Sequence, residues 1–486
     1  MTQTDCTIFT LFEDAVRANG DIAAIVRHSQ TISYTRFYER VVCRAGQILE
    51  QSGPFGGVAI INRDAVEILE WFFACAAIGR PALPLDPNSP PAFIAGILDR
   101  FCFSAVSAGR ELPEDLAGSI AILRNGLPAT SHFEPLNHRF QSNDEFYWGL
   151  TSGTTGEPKI FVRAHGSWIA SFEAAEAVFS FAPNSKILIP GPLYHSLFLY
   201  GAVHALCRGH SLILPESEFR PNRLGRALGQ ATHFYAVPFM LGDIANACPE
   251  APKLETIFSG GAKLSDDIRL ACETCWPKSN LIEFYGTSET SFISFHSTQR
   301  PAIENSVGWP FPNVSVEIRD SDGQTLPDAQ AGEIFVSSPM VFSRYLGEKP
   351  AGKSISVGDM GFIGPDGCLH LTGRTSRVIK SRGLKIHPEA IESALLELPD
   401  VRRAAVVGLP DPRRGEVAVA AIEFAGGDHL ARKALSAHCR ERLGAKLSPQ
   451  RFFVIDGMPL TANGKTAIAV VREDLLSGHG SFRELT

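Results

Sequence analysis

The residues best suited to chemistry in this chain are crowded into Thr151-Ser152-Gly153-Thr154-Thr155-Gly156-Glu157-Pro158-Lys159. Glycines let backbone amides turn toward one point, and the hydroxyls and the lysine can meet phosphate oxygens there. The GxxxxGK[ST] spacing of a Walker A loop is absent. A Ser/Thr/Gly linker has a similar composition, but this stretch lies between apolar segments and ends in Pro158-Lys159. A second string, Tyr285-Gly286-Thr287-Ser288-Glu289, offers a stacking aromatic, a tight turn, hydroxyls and one carboxylate. Glu289 can hold a hard cation against phosphate oxygens, since Mg²⁺ prefers oxygen ligands. A core tyrosine and a capping glutamate are the plain alternative. Asp359 can accept both hydroxyls of a ribose, and the donor fork of Arg374 can hold a ribose or phosphate oxygen; solvated charges are the alternative for each. His195 stands just past a strand end, where ligands meet α/β sheets, although packed histidines are common. Gly260 and Gly261 follow another strand and permit close approach of a flat ligand, or simply a turn. Lys465 follows Asn463-Gly464 and by itself reads as a solvated charge on a turn.

These strings, in this order, resemble the motifs of the adenylate-forming enzymes, the family of acyl-CoA synthetases, luciferases and peptide-synthetase adenylation domains. The resemblance runs over roughly residues 8 to 470. It implies that Thr151, Ser152, Gly153, Thr154, Thr155, Gly156 and Lys159 cradle the phosphates of ATP. Tyr285 then stacks on adenine beside Gly286, Thr287 contacts the phosphate or acyl carboxylate, and Glu289 binds Mg²⁺. Gly260, Gly261 and Ala262 line the nucleotide and acyl pocket, while Asp359 and Arg374 take the ribose and a phosphate. His195 borders the reacting carboxylate without acting as a base, because that substrate is already an anion. Lys465 becomes the adenylation lysine, Gly383 lies near a pantetheine tunnel, and Ser376 occupies the hinge position. The acyl pocket is expected to be walled by Tyr194, His195, Phe198, Val237, Gly260 and Phe284, which favours an aryl or medium acyl acid. Several positions depart from the family pattern. Ser376 and Arg377 replace the usual hinge residues, Ile160-Phe161 replaces a glycine and a small apolar residue, and no basic residue follows Lys465 before Val471.

The elements that must position these groups are legible as alternating strands and helices. Helical spacing marks Ile8 to Val16, Phe37 to Leu49, Ile68 to Ala77 and a helix from His165 to about Phe179. Compact apolar runs at Val58 to Ile61, Ile187 to Ile189, Leu212 to Leu214, Phe234 to Val237 and Ile257 to Phe258 read as buried strands. That alternation predicts an α/β fold with parallel sheets. Pro81 to Pro91 is expected to be loop or extended chain, and Arg220 to Leu228 a helix. From Val314 the chain alternates like half-buried strands, which predicts a β-rich subregion. A boundary after Gly373 divides residues 1–375, a large adenylation domain, from 376–486, a small mobile α+β domain carrying Lys465.

At 486 residues the chain exceeds one ordinary core. Apolar residues at 44% and charged residues at 20% give a soluble balance, and a formal charge of -7 without basic tracts argues against nucleic acid. The ten cysteines are scattered, and Cys272 with Cys275 has no second pair, so reduced cytoplasmic thiols are expected. No signal peptide and no membrane-spanning run is visible. The expected reaction is ATP- and Mg²⁺-dependent activation of a small carboxylic acid, then transfer to CoA. The alternative acceptor is the phosphopantetheine of a separate carrier protein. A non-catalytic nucleotide-binding scaffold and a luciferase-like oxygenase are the competing readings. The expected state is a monomer or homodimer.

Overall fold

The computed structural model describes residues 6–27, 30–53, 55–108, 120–123, 140–151, 159–215, 219–247, 250–301, 303, 306–381, 384–412, 414–426, 430–444, 447–460, 466–478 and 482–485. Runs such as Gly57–Ile61 are buried along their whole length, as strands covered on both faces must be. Two large sheets result. The first has nine described strands, in the order Trp309–Pro310, Ser294–Ser297, Asn280–Tyr285, Thr256–Ser259, His233–Ala236, Lys186–Leu188, Ser211–Ile213, Ala23–Arg27 and Gln30–Ser33. From Asn280–Tyr285 to Ala23–Arg27 every pairing is parallel. Tyr285, Ser259 and Ala236 therefore finish at one edge, where α/β sheets bind ligands.

The second sheet has seven described strands: Arg344–Tyr345, Lys159–Ala164, Glu145–Thr151, Ala82–Pro84, Gly57–Ile61, Phe103–Ala108 and Ala121–Leu123. Helices Ile8–Asn19, Tyr34–Gln51, Ala65–Ala77, His165–Val178 and Ser196–Cys207 join the two sheets in one apolar core that includes Phe12, Phe73, Trp168 and Phe258. Helix Ala65–Ala77 is buried almost all round, and the Asp64 carboxylate caps it by accepting from the Val66 and Glu67 amides. Its one deeply buried charge, Glu70, is paired by Arg40 at 2.5 Å and Arg44 at 3.0 Å. A burial of this kind needs such partners.

An antiparallel four-stranded sheet follows, in the order Ser315–Arg319, Gly332–Ser337, Ile355–Ile363 and Leu369–Arg374. Gly332–Ser337 alternates buried and half-buried residues, as its sequence predicts. A distinct smaller α+β domain closes the chain. Strands Val401–Asp411 and Gly415–Phe424 form its centre, packed by helices Pro388–Leu396, Arg432–Leu443 and Ile468–Ser477. No described helix is long and apolar enough to cross a membrane. The proline-rich stretch is extended as expected, with Ala82–Pro84 a parallel strand, and Pro91 at its end opens helix Pro91–Arg100, where a missing amide costs nothing. One local expectation changes. Arg220 to Leu228 is broken into a 3₁₀ turn, Pro221–Arg223, and a single helical turn, Gly225–Leu228, because Pro221 and Gly225 each begin a segment.

Candidate active site

Glu145–Thr151 and Lys159–Ala164 form an antiparallel hairpin in which Thr151 and Lys159 are register partners. Both ends of the hydroxyl-rich loop are thus fixed side by side. Ser152, Gly153, Thr154, Thr155 and Gly156 lie outside the described residues, as do Gly383 and Lys465. The Lys159 ammonium lies 3.0 Å from the Glu348 carboxylate and 4.8 Å from the centre of the Tyr345 ring. The Tyr345 hydroxyl in turn donates to Glu289 Oε1 at 2.9 Å. Burial, and then the Glu289 charge, push the Tyr345 hydroxyl well above its usual range, so it remains a donor. Thr287, Glu289, Arg344, Tyr345 and Glu348 line a cavity of about 350 Å³. One strand-end lysine and one motif glutamate, distant in sequence, are joined here by a tyrosine.

The Tyr285–Glu289 string is a tight turn at the end of strand Asn280–Tyr285. The Ser291 amide bonds to Thr287 O at 2.9 Å, and the Thr287 amide bonds to Thr290 Oγ1 at 3.2 Å. A side chain at Gly286 would place its Cβ 1.8 Å from Ser291 O, so glycine is obligatory at that position. Ser291 adopts a left-handed conformation at φ 59°. The Tyr285 hydroxyl donates to Asp359 Oδ2 at 2.5 Å, and Arg374 Nε lies 3.0 Å from Asp359 Oδ1. Burial and the Asp359 charge raise the Tyr285 hydroxyl well above its usual range. The predicted adenine-stacking ring and both predicted ribose contacts are therefore one cluster.

His195 stands at the N-terminal boundary of helix Ser196–Cys207, and burial holds its imidazole below the usual range, against a weaker pull from Asp86. The ring is neutral at pH 7, which suits a wall beside an anionic substrate. Its neighbour Ser196 shares a 3.0 Å bond with the Tyr147 hydroxyl and accepts from Ser288 Oγ at 3.4 Å, which brings the His195 turn against the Glu289 turn. Phe284 lies over Gly260, where a Cβ would come within 2.5 Å of its ring, and Val237 approaches Gly261. Tyr194 packs edge-on to His195 at 4.7 Å, while Phe198 is buried against Gly191. Ala262 continues the Gly260-Gly261 turn.

Two departures from the family pattern have local causes. Phe161 fills the space over Gly149, where a Cβ would sit 2.1 Å from its ring, and meets Tyr147 edge-on at 5.5 Å. Arg377, one residue beyond Ser376, donates to both oxygens of Glu392 at 2.5 and 3.2 Å and to Val406 O at 3.1 Å. The arginine therefore belongs to the small domain's packing. Sequence reasoning missed Tyr345, Glu348 and Arg163. Only Arg163 carried a signal, as a charge directly after the apolar run Ile160-Phe161-Val162.

The fold, the Thr151–Lys159 hairpin and the Tyr285–Asp359–Arg374 cluster are the arrangement expected of a nucleotide-dependent α/β enzyme with an appended small domain. The family comparison makes the class specific: residues 12–346 match the AMP-binding enzyme model and residues 390–465 its C-terminal domain. The chain belongs to the AMP-binding enzymes, whose reaction is ATP-dependent activation of a carboxylate as an acyl-adenylate. Among known proteins it is similar to the uncharacterized acyl–CoA ligase YhfT of Bacillus subtilis, 34% identical over 96% of this chain and 98% of that protein. It is also similar to 2-succinylbenzoate–CoA ligase of Lactococcus lactis, 27% identical over 86% of this chain and 90% of that protein. Among solved structures, amide bond synthetase McbA of Marinactinospora thermotolerans matches with a TM-score of 0.85 at 27% identity, covering 96% of this chain and 99% of that one.

Proposed function

We propose that this enzyme activates an aryl or medium-length carboxylic acid with Mg-ATP and passes the acyl group to the thiol of CoA. The observation carrying the nucleotide half is the Asp359 carboxylate, held by Tyr285 at 2.5 Å and Arg374 at 3.0 Å at the edge where the parallel strands end. The acid half rests on the apolar and aromatic wall of Phe284, Val237 and Phe198 beside neutral His195. CoA is favoured as acceptor by likeness to two proteins named as CoA ligases, one at 34% identity. A carrier protein's phosphopantetheine presents the same thiol.

The first step joins a carboxylate oxygen to the α-phosphorus of ATP and breaks its bond to the bridging oxygen, so pyrophosphate leaves. The Thr151–Lys159 loop holds the departing phosphates. Thr287 orients the acyl carboxylate, His195 keeps the pocket dry without taking a proton, and Lys465 offsets charge on the transferring phosphoryl group. The oxygen donors Glu289 and Thr287 are a hard set that fits Mg²⁺ shared with substrate phosphates. When bound, that ion supplies charge neutralisation at the phosphoryl oxygens. In the second step the acceptor thiol gives its proton to solvent and its sulfur attacks the acyl carbon, which breaks the acyl C–O bond so that AMP departs with the bridging anhydride oxygen. Residues 376–486 rotate about Ser376 between the two steps, withdrawing Lys465 and admitting the thiol beside Gly383.

Carboxylate-dependent exchange of labelled pyrophosphate into ATP tests the first step. We expect exchange with aryl or medium-chain acids and a loss of at least a hundredfold, on the order of an oxyanion-stabilising group, in Lys465→Ala. A broad acid panel giving no exchange rules the reaction out. Repeating the productive acid with CoA, a phosphopantetheinylated carrier and a simple amine identifies the acceptor; the likeness to an amide bond synthetase motivates the amine arm.

A further inference from the structure

Arg163 is 1% exposed and lies on strand Lys159–Ala164, the strand that leaves the phosphate loop. All its guanidinium nitrogens are engaged, and every acceptor is uncharged. Nη1 donates to Ser288 O at 2.8 Å; Nη2 donates to Met340 O at 2.7 Å and Ser291 Oγ at 2.8 Å; Nε donates to Ser167 Oγ at 3.0 Å. A fifth, longer contact joins Nη2 to Ser167 O at 3.4 Å. A buried cation bonded only to neutral groups is expensive, and a sequence keeps one where it secures something else.

What it secures is the peptide around Glu289. Ser288 O is the carbonyl preceding that residue. Ser291 is the left-handed residue that closes the turn, a conformation that is strained away from glycine. Met340 opens the segment whose Phe342 amide bonds to Glu289 O at 2.7 Å and whose Tyr345 hydroxyl reaches Glu289 Oε1 at 2.9 Å. Three separate stretches thus meet on one planar fork: the phosphate strand, the Glu289 turn and the Tyr345 segment. We infer that Arg163 is the positioning residue for Glu289, fixing its carboxylate relative to strand Lys159–Ala164 so that a divalent cation and ATP phosphates can be held together. Burial lowers the guanidinium to about 10, with the charges of Tyr147 and Glu289 opposing the shift, so it remains a cation at neutral pH. Lysine cannot replace it: one ammonium has no planar fork to span Ser288, Ser291 and Met340.

This inference rests on Glu289 as the cation ligand, and the experiment separates the two ideas. Mn²⁺ is titrated by electron paramagnetic resonance against wild type, E289Q and R163K, each with α,β-methylene-ATP and no acid. Outer-shell changes of this type typically weaken metal binding by 10- to 100-fold. R163K is expected to remain folded by circular dichroism and to bind Mn²⁺ about tenfold more weakly. Its half-saturating acid concentration in exchange assays should stay within about twofold of wild type, because the acyl wall is untouched. Wild-type Mn²⁺ affinity in folded R163K, alongside weakened binding in E289Q, overturns the role of Arg163 alone. Wild-type affinity in E289Q removes the cation assignment and the inference with it. Should R163K not fold, Ser167→Ala carries the test. It frees Nε and is expected to weaken Mn²⁺ about threefold, an effect at the scale of one lost hydrogen bond; an unchanged affinity there overturns the role as well.

Discussion

The most direct test of the phosphate hairpin is Glu348→Gln. Lys159 is engaged by Glu348 at 3.0 Å, and any phosphate that takes the lysine competes with that carboxylate. The side chains are 41% and 53% exposed, so the pair is worth about 0.2–1 kcal/mol after screening. Glutamine keeps the shape and removes the charge, and Lys159 retains its place 4.8 Å over the Tyr345 ring. ATP affinity should therefore rise about 1.5- to fivefold, the factor that this energy represents. Stability should change by less than about 0.5 kcal/mol, as for an exposed site. Isothermal titration with ATP in low salt measures the gain, which should shrink in 1 M salt, where the screening length is about 3 Å. Glu484→Gln is the control, because it removes the same charge from an ion pair with Arg451 in the small domain. An unchanged or weaker affinity in E348Q, or an equal gain in E484Q, refutes the assignment of Lys159 as a phosphate contact.

Two further expectations concern stability. His165 is fully buried, accepts the Ile8 amide at 3.2 Å and is pushed down to about 3; His210 is pushed down to about 4, with burial the leading cause for both. Both rings fold neutral, so their contribution is complete above the unfolded value of about 6.5 and is lost as pH falls from there toward the folded values. At pH 5 each should have cost about 2 kcal/mol, read as a falling urea midpoint between pH 7 and 5; a flat or rising midpoint contradicts the burial argument. The second is Arg377→Met, which leaves Glu392, 14% exposed, without its two-pronged partner and should destabilise the small domain by about 2–3 kcal/mol. Urea unfolding followed in that domain decides it, and a change below about 0.5 kcal/mol would show the pair to be dispensable.

The parts legible in the sequence are those encoded locally. The spacing of glycines and hydroxyls before Lys159, the Tyr285–Glu289 turn and the apolar runs of the parallel strands each depend on residues close in the chain. Their order sufficed to identify the family. The remainder depends on distant partners. Glu289 meets Tyr345 across 56 residues, and nothing near either position marks the pairing. Asp359 stood out in the sequence as a candidate ribose acceptor, but its engagement by Tyr285, 74 residues away, did not. Arg163 escaped the sequence reading because its acceptors are backbone carbonyls and serine hydroxyls, which any sequence supplies. Arg377 read only as a departure at the hinge for a related reason: its partners Glu389 and Glu392 lie on helix Pro388–Leu396, beyond the hinge. Arg220 to Leu228 failed for the opposite reason. Its apolar spacing was helical, but Pro221 and Gly225 punctuate it.

The two-residue strand Arg344–Tyr345 also bears on how the chain is made. It covers the free edge of Lys159–Ala164, pairing Arg344 with Val162 and Tyr345 with Phe161. During synthesis that edge, rich in Ile, Phe and Val, waits for a segment produced nearly two hundred residues later. The Arg163 contacts have the same separation in time, spanning 125 residues to Ser288 and 177 to Met340. Closing such long loops precedes the reward from the contacts and slows folding. An unpaired apolar edge in that interval invites association with other chains. Nascent chains that stall before Arg344 should consequently be the ones that chaperones hold, and the last residues to pair with that edge are also the ones that make the growing sheet safe.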